Sequence, residues 1–246
     1  MKSNQVIIYG KYAVIEALKH KAKIVERIFL DDKKKDDAPL ISLIKKSALK
    51  IENFTTQQLS SQANHQGVSA LINLDKLLIS FKTFSESVSV TPSNVLILLD
   101  EIEDPQNIGA IVRTATAFGA TAILIPNRRN APISGSVAKI SAGTIFNIPL
   151  VEIGNINTTI KTLKDKGFWI YGLDGRGEKN IHEEKFDAPT VIILGNEGSG
   201  IRTKTLNHCD IILSIPISPK CESLNVATAG ALAMFQWSKN HPQGLR

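Results

Sequence analysis

Three clusters of polar residues and glycines have the types and spacing to hold a phosphate or a nucleotide-like ligand. The first is the run Asn-Ile-Gly at 107–109, with Arg113 one helical turn after Gly109. On a helix the missing side chain of Gly109 would leave a clear approach to the guanidinium, whose planar fork of donors suits a phosphate. The alternative is that Asp104 and Pro105 simply begin a helix and that Arg113 is a surface charge.

The second cluster is a glycine-rich turn from Gly195 to Gly200, placed after an apolar predicted strand. Glycines there permit positive φ and a close approach of the backbone to a ligand. The order is G-x-x-G-x-G, which differs from the G-x-G-x-x-G of a dinucleotide-binding turn, and it comes late in the chain instead of in an opening βαβ unit. We therefore do not expect an NAD-dependent oxidoreductase, and we interpret the same spacing at 172–177 as a plain turn.

The third cluster is Ser223, Leu224 and Asn225, at the start of a helix predicted over 223–238. The alternative interpretation is that Ser223 is an ordinary N-cap with no chemical role. The stretch 227–233 holds four alanines and a glycine. It could pack unusually close to another helix or backbone, or it could reflect helix propensity alone.

The predicted elements place all three clusters in the second of two α/β domains. Residues 1–78 alternate short apolar strands with helices, including a helix whose apolar face is Val14, Ala17 and Leu18, and form a compact small domain. Residues 79–93 are rich in Ser and Thr and are predicted to be a linker or a surface arm. From 94 to 246 strand and helix alternate, which predicts a mostly parallel sheet covered by helices.

Charge and composition favour a protein that meets a polyanion. The net charge is +6, and residues 1–78 carry 13 Lys and Arg against 8 Asp and Glu, a net of +5. The ordinary alternative is a solvated lysine-rich surface. The longest apolar run, Val95–Leu99, is too short to cross a bilayer, no signal peptide is recognised, and two cysteines favour a reducing compartment, so a cytoplasmic protein without a membrane partner is expected. Because His208, Cys209 and Cys221 lack paired ligand spacing, no metal site is expected.

The order of the motifs resembles one family. N-x-G-x-x-x-R, then L-G-N-E-G-x-G, then I-P with S-L-N beginning eight residues after the Ile, is similar to the SpoU (TrmH) family of RNA ribose 2′-O-methyltransferases in the SPOUT superfamily. The first domain resembles the substrate-binding domain of the ribosomal-RNA branch of that family. Its matching residues are Tyr9, Gly10, Val14, Glu16, Ala17, Leu18, His65, Gln66 and Gly67.

The resemblance implies a small L30e-like α/β substrate-binding domain over 1–78, followed over 94–246 by a SPOUT catalytic domain with a trefoil knot. It also implies S-adenosylmethionine as cofactor, RNA as partner, most closely a guanosine of 23S ribosomal RNA, and a homodimer that forms the RNA site from two chains. There are two alternatives to this function. The substrate could be transfer RNA, or the chain could be a non-catalytic RNA-binding or ribosome-assembly protein of the same fold.

The resemblance also assigns the site residues. The cofactor would be held mainly by backbone groups of Gly195, Ile215 and Leu224. The residues implied in catalysis are Arg113, Asn107, Glu197, Ser223 and Asn225. A guanidinium, whose pKa exceeds ~12, is a poor base, so we interpret Arg113 as an electrostatic clamp.

The remaining roles are also implied by the family pattern. Asn107 and Asn225 would bind the ribose, Glu197 would orient Arg113 or shape its loop, and Ser223 would fix the third turn. One departure is the segment 218–222, Ser-Pro-Lys-Cys-Glu, where many members have a glycine. A stiffer or more polar loop there would affect the affinity for the cofactor.

Overall fold

The computed structural model describes residues 4–34, 36–53, 65–242 and 245. The chain divides into two compact units, one of 1–78 with 132–147 and the other of 79–131 with 148–246. Within the described ranges, no helix is both long enough and apolar enough to pass through a lipid bilayer.

The first unit is a four-stranded sheet with helices packed on it. In sheet order the strands are β1 (Gln5–Tyr9), β4 (Val68–Asn73), β2 (Val25–Leu30) and β3 (Ile51–Asn53), with β4 antiparallel to both of its neighbours. Its helices are α1 (Lys11–His20) and α2 (Ala38–Ser47). Val14, Ala17 and Leu18 are buried on α1, as the apolar spacing predicts.

A segment from the middle of the chain also belongs to this first unit. Residues 132–147, with helix α5 (Gly135–Ile140), pack on β1 and α1. Two glycines allow this approach, since a Cβ on Gly135 would lie 2.3 Å from the Ile7 carbonyl oxygen and one on Gly143, where φ is +83°, would lie 2.7 Å from Cβ of Glu16. The sequence analysis assigns this segment to the second domain, because the unit in which a helix packs depends on contacts between distant segments.

The second unit is built on an eight-stranded sheet. In sheet order its strands are β10 (Lys179–Asn180), β12 (Ile211–Ser214), β9 (Trp169–Leu173), β11 (Thr190–Gly195), β6 (Val95–Asp100), β7 (Ala122–Pro126), β8 (Leu150–Ile153) and β5 (Leu78–Ser80). The seven strands from β10 to β8 are parallel, which confirms the predicted α/β class. Its helices are α3 (Phe81–Ser87), α4 (Pro105–Ala117), α6 (Ile156–Asp165), α7 (Thr203–Leu206) and α8 (Val226–Asn240).

The segment 79–93, predicted as a linker, is folded into the second unit. Ser80 caps α3 by accepting a hydrogen bond from the Thr83 backbone N–H at 3.1 Å, and Phe84 is buried in the core beside the sheet. Phe81 and Val88 pack against the same core. These three apolar residues stand at i, i+3 and i+7, the spacing of one helical face, but the helix is only seven residues long and its other residues are polar, which is why the segment resembles a linker.

The strand order determines where a ligand can bind. β6 and β11 are adjacent and parallel, and Asp100 pairs with Gly195 at their carboxyl ends. From β6 the chain passes through β7 to β8 on one side, and it then returns to β9 and β11 on the other. In open parallel sheets ligands bind at the carboxyl edge where the strand order reverses, so the loops after β6, β9 and β11 are the expected site. The path of the knot stays a prediction.

Candidate active site and cofactor cavity

A chain of hydrogen bonds joins the three sequence clusters. The Asn107 side-chain amide nitrogen donates to Oε1 of Glu197 at 2.7 Å, and the Asn225 amide nitrogen donates to Oδ1 of Asn107 at 2.8 Å. The partners are 90 and 118 residues apart in sequence. Helix α4, the loop after β11 and the start of α8 are therefore held together by one continuous polar contact.

The direction of these bonds follows from what each group can do. A carboxylate only accepts, so Asn107 must present its NH2 group to Glu197 and its carbonyl oxygen to Asn225. Asn225 then donates with its own NH2 group, and its carbonyl oxygen accepts from the backbone N–H groups of Ala227 and Thr228 at 2.9 and 3.2 Å. Each amide is thus used at both ends, which orients the two Asn side chains.

Asn225, and not Ser223, is the N-cap of the last helix. Helix α8 begins at Val226, and Ser223 is exposed in the preceding loop. Asn and Ser are about equally good caps, so local preference does not decide between them. The bond to Asn107 tethers Asn225 at the cap position, which explains why the helix begins three residues later than predicted.

Helix α4 carries Arg113 on its exposed side. Asp104 caps the helix by accepting from the Gln106 backbone N–H at 2.8 Å, and Pro105 is its first residue. Gly109 is buried whereas Arg113 is exposed, so Gly109 does not open the predicted path to the guanidinium. Among the described residues Arg113 makes no hydrogen bond or ion pair. Glu197 accepts from Asn107 and does not contact Arg113, so it does not orient Arg113 directly. The Arg113 guanidinium is therefore available to an external anion.

The glycine-rich turn after β11 is held in shape by Asn196. Its side-chain oxygen accepts from the backbone N–H groups of Gly198 and Ser199 at 3.0 and 3.1 Å, and its amide nitrogen donates to the Glu101 carbonyl at 2.9 Å. Asn196 and Gly200 also exchange backbone hydrogen bonds at 3.0 Å. The turn is therefore preformed and fixed to the carboxyl end of β6.

Two glycines of this turn lie where a side chain would clash or be strained. A Cβ on Gly195 would lie 2.3 Å from the Ile201 backbone nitrogen, and Gly200 has a φ of +69° with Asp174 Oδ2 only 2.9 Å from the place of its Cβ. The backbone clash at 195 requires glycine, and at 200 any other residue would be strained. Gly198 differs, because the nearest atom to its added Cβ is 3.6 Å away.

The segment 172–177, predicted to be a plain turn, is part of the site. Asp174 accepts two hydrogen bonds from the guanidinium of Arg176, at 2.7 and 2.8 Å, and one from the Ile201 backbone N–H at 3.3 Å. Arg176 also donates to the Ile201 carbonyl at 3.1 Å. The bond from Arg176 holds the pKa of the Asp174 carboxyl below its usual range, so the pair stays charged and fastens the glycine-rich turn to the loop after β9.

These loops enclose a cavity of about 350 Å³. Its lining includes Gly195, Ile215 and Leu224, the three predicted cofactor contacts, together with Glu197 and Ser223. Asp174 and Arg176 also line it, and sequence reasoning did not identify them because the spacing of 172–177 does not reveal that β9 lies beside β11. Asn107, Arg113 and Asn225 lie outside the lining that the described residues form.

The cavity suits S-adenosylmethionine. Its size lies within the range of small-molecule sites, and its walls combine apolar side chains such as Ile217 and Val226 with backbone groups of the glycine-rich turn. Because residue 195 has no side chain, its backbone lies closer to the backbone of Gly200 and Ile201 than any other residue would allow. This part of the cavity wall therefore presents main-chain donors and acceptors. A mixed apolar and main-chain surface of this kind fits a nucleoside joined to an amino acid.

An ionic cluster around one buried carboxylate supports the carboxyl end of β6. Asp100 is fully buried, and its Oδ1 lies 2.7 Å from Nη2 of Arg202. Arg202 and Arg129 both contact Glu101 Oε1, at 3.0 and 2.9 Å. A buried carboxylate requires such a partner, so Arg202 links the segment after the glycine-rich turn to β6.

The cysteines have different environments. Burial raises the pKa of the Cys209 thiol to about 12, so this thiol is unreactive, whereas Cys221 is exposed. His208 lies next to Cys209 in the chain, but its Nδ1 contacts the Lys204 carbonyl. Within residues 4–34, 36–53, 65–242 and 245, no group of three His, Cys, Asp or Glu side chains is arranged to hold a metal ion.

Comparison with known proteins agrees with this geometry. Residues 94–235 match the SpoU rRNA methylase family, and residues 7–78 match the RNA 2′-O ribose methyltransferase substrate-binding family. A 23S rRNA (guanosine-2′-O-)-methyltransferase, RlmB of Vibrio parahaemolyticus, is 30% identical over 93% of this chain and 94% of its own length. An uncharacterised tRNA/rRNA methyltransferase of Synechocystis is 32% identical over 94% of this chain, which spans 61% of that relative.

A solved structure shares the fold. The SpoU methyltransferase AviRb of Streptomyces viridochromogenes, in complex with AdoMet, superposes with a TM-score of 0.83 at 20% identity, covering 99% of this chain and 93% of that one. The family match extends over both units, and residues 94–235 include all three clusters, which the hydrogen bonds of Asn107 join. The chain therefore belongs to the SpoU rRNA methylase family and is an S-adenosylmethionine-dependent RNA ribose 2′-O-methyltransferase.

Proposed function

We propose that the substrate is 23S ribosomal RNA and that the methyl group goes to the 2′-hydroxyl of a guanosine. The observation that carries this proposal is the similarity to a 23S rRNA guanosine methyltransferase along 94% of that relative and 93% of this chain. Residues 7–78 of this chain also match the substrate-binding family. The net charge of +5 in residues 1–78 supports an RNA-selecting role for that segment. Work on ribosomal RNA would place the protein in the cytoplasm.

We assign the chemistry to two groups of residues. The cofactor supplies a methyl group activated by a sulfonium, and the loops around Gly195, Ile215 and Leu224 hold it by their main-chain atoms. Arg113, exposed and unpaired within the described part of the chain, binds the phosphate next to the reactive ribose and stabilises the oxygen as it loses its proton. The proton leaves to that phosphate or to water, since the guanidinium cannot accept it.

The chain from Glu197 through Asn107 to Asn225 acts by positioning. Its amides are satisfied by one another, so we assign Asn107 and Asn225 to fixing α4 and α8 against the glycine-rich turn instead of binding the ribose directly. Ser223 lies at the cavity and is exposed, so its hydroxyl can contact the cofactor or the RNA. This arrangement sets the distance between Arg113 and the cofactor, which methyl transfer requires.

The decisive experiment is a map of ribose methylation across total RNA in a strain that lacks the gene and in the same strain carrying it again. We expect one mark to disappear from 23S ribosomal RNA and to return on complementation. Loss of a mark from transfer RNA would instead favour the transfer-RNA alternative. If every mark persists, the non-catalytic alternative is favoured and the catalytic assignment fails.

We further propose that the protein is a homodimer, with a second copy covering one face of α8. Three of the small residues of this helix do not contribute to that face: Ala227, Gly230 and Ala233 are buried, and a Cβ on Gly230 would lie 2.8 Å from a Leu194 methyl carbon of the same chain. The exposed apolar residues are Leu232 and Phe235, which are 42% and 52% exposed. Such residues are favoured at contacts between copies.

Sedimentation should therefore show a dimer at micromolar concentration, and Phe235→Asp should convert it to a monomer. Trp169→Asp is the matched control, because Trp169 is similarly exposed on the same unit but lies on β9. A dimer that survives Phe235→Asp, or that is equally disrupted by Trp169→Asp, would contradict this interface. A fully active monomer would contradict an RNA site shared between two chains.

A further inference from the structure

The first unit contains a second concavity, which is independent of the cofactor cavity. It encloses about 530 Å³ between the start of α1, the turn after β2 and the turn before β4. Its described lining is Lys11, Tyr12, Asp31, Lys33, Lys34, Gln66 and Gly67. No catalytic or cofactor role falls on these residues.

Hydrogen bonds between the three segments preform this concavity. The Lys11 backbone N–H donates to Oε1 of Gln66 at 3.2 Å, and the Asp31 backbone N–H donates to the Gly67 carbonyl at 2.9 Å. Gln66 and Gly67 both have positive φ, and a Cβ on Gly67 would lie 3.0 Å from Cβ of Asp31. Gly67 adopts this conformation without a steric penalty, but Gln66 does so at a cost unless its surroundings determine it, so the shape is fixed before a ligand arrives.

An exposed aromatic ring forms one wall of the concavity. Tyr12 is 65% exposed, although it lies on a helix whose next three residues are buried. An aromatic side chain next to lysines in a concave surface is the usual arrangement for stacking a nucleic-acid base. Burial in the core does not explain its position.

The charges of the lining leave two lysines for a ligand. The Nζ atom of Lys11 is bound to Asp37 at 2.7 Å, so its charge is compensated. Asp31 also lines the concavity, and one of its oxygens accepts from the Lys33 backbone N–H at 3.0 Å. Its single negative charge against Lys33 and Lys34 leaves these three residues with a net charge of +1. The side chains of Lys33 and Lys34 make no ion pair within the described ranges. The bond from Lys11 is the main cause that holds the pKa of the Asp37 carboxyl below its usual range, and the charge of Lys34 also lowers it. The ammonium groups of Lys33 and Lys34 can therefore meet phosphates.

We propose that this concavity binds an unpaired nucleotide of the RNA substrate. The base stacks on Tyr12, its edge is reached by the side-chain amide of Gln66, and the flanking phosphates lie at Lys33 and Lys34. This inference rests on the RNA methyltransferase function and adds a recognition site outside the catalytic unit. A base splayed out of a helix is how proteins generally recognise RNA, because the deep groove of double-stranded RNA hides its bases.

The test is RNA binding by the full-length protein, measured as fluorescence anisotropy with a short single-stranded RNA of mixed sequence and with the duplex of the same sequence. We expect the single strand to bind more tightly. Tyr12→Ala should weaken its binding by roughly 5- to 150-fold, the range of one lost base–aromatic stack, while Tyr12→Phe should keep most of the affinity because the ring remains.

The lysines are tested by a matched pair of double variants. The slope of log affinity against log salt is negative. Lys33→Gln with Lys34→Gln should make it shallower by about 1.4, as two lost phosphate contacts predict for a single strand. Lys45→Gln with Lys46→Gln removes the same charge from the exposed end of α2 and should leave the slope nearly unchanged. Equal effects of the two double variants would overturn a local site.

Other outcomes also decide the proposal. The proposal would be overturned if Tyr12→Ala bound the single strand as tightly as the unchanged protein does. It would also be overturned if the protein preferred the duplex, or if the single strand did not bind at low salt. Binding of S-adenosylhomocysteine by calorimetry should be the same in all these variants. If these RNA-binding expectations fail while cofactor binding and methyl transfer persist, the concavity is not a nucleotide site and the enzyme assignment stands.

Discussion

Replacing Arg113 with Ala is expected to abolish most methyl transfer while leaving cofactor affinity almost unchanged. Arg113 is exposed, lies outside the cavity lining and has no partner in the described part of the chain, so its removal should not disturb the loops that hold the cofactor. Loss of one group that stabilises a developing oxyanion typically costs roughly a hundred- to a thousand-fold in turnover. Steady-state rates with the RNA, and calorimetry with S-adenosylhomocysteine, measure the two quantities separately.

Arg113→Lys tests the geometry of the clamp. A lysine keeps the charge but lacks the fork that binds a phosphate through two parallel hydrogen bonds, so it should recover little of the lost turnover. Lys161→Ala is the control, because Lys161 is an exposed cation on α6 of the same unit and is also unpaired among the described residues. Near-normal turnover of Arg113→Lys would show that charge alone suffices, and a similar loss in Lys161→Ala would point to a general electrostatic effect.

The elements of the catalytic unit could be predicted because its strands and helices differ strongly in apolar pattern. β6 and β11 are continuous apolar runs, as strands buried on both faces should be, and the helix predicted over 223–238 overlaps α8, which spans Val226–Asn240. The three clusters at 107–113, 195–200 and 223–225 could also be recognised, because their residue types are unusual at those places.

The contacts between the clusters could not be predicted from local pattern. Glu197 and Asn107 meet because β11 lies beside β6, and the order of strands in a sheet depends on how distant segments pair. The same reason explains why Asp174 and Arg176 were missed: their loop belongs to the site only because β9 adjoins β11. The cap at Asn225 likewise depends on a partner 118 residues away.

Domain bounds were the least predictable feature. The segment 132–147 reads as part of the catalytic domain, yet it packs with residues 1–78, and α3 packs with the second unit although its sequence resembles a linker. A chain beginning near Ser93 would therefore lose Phe84 from one core and leave Gly135 and Gly143 without the surfaces they contact. Substitutions in the full chain test the role of residues 1–78 more cleanly than such a truncation does.

The second large effect is expected at Gly195, where Ala should weaken cofactor binding. The added methyl group would lie 2.3 Å from the Ile201 nitrogen and 2.4 Å from the Gly200 carbonyl carbon, so the turn must open to accept it. Overpacking of this kind typically costs about 1–3 kcal/mol, which corresponds to roughly a 5- to 150-fold loss of affinity if the cost falls on the bound conformation. Calorimetry with S-adenosylhomocysteine measures it directly.

Gly198→Ala is the matched control for this substitution. It adds the same methyl group to the same turn, but the nearest atom, Oδ1 of Asn196, is 3.6 Å away, and Gly198 has no positive φ. Its affinity should stay within about twofold of the unchanged protein, because only an ordinary contact is made. The Tm of both variants shows whether the methyl group opens the turn or destabilises the whole unit. A fall in cofactor affinity with little change in Tm would locate the effect in the turn. Equal affinities of the Gly195 and Gly198 variants would show that the close approach of Gly195 to Ile201 is not needed to hold the cofactor.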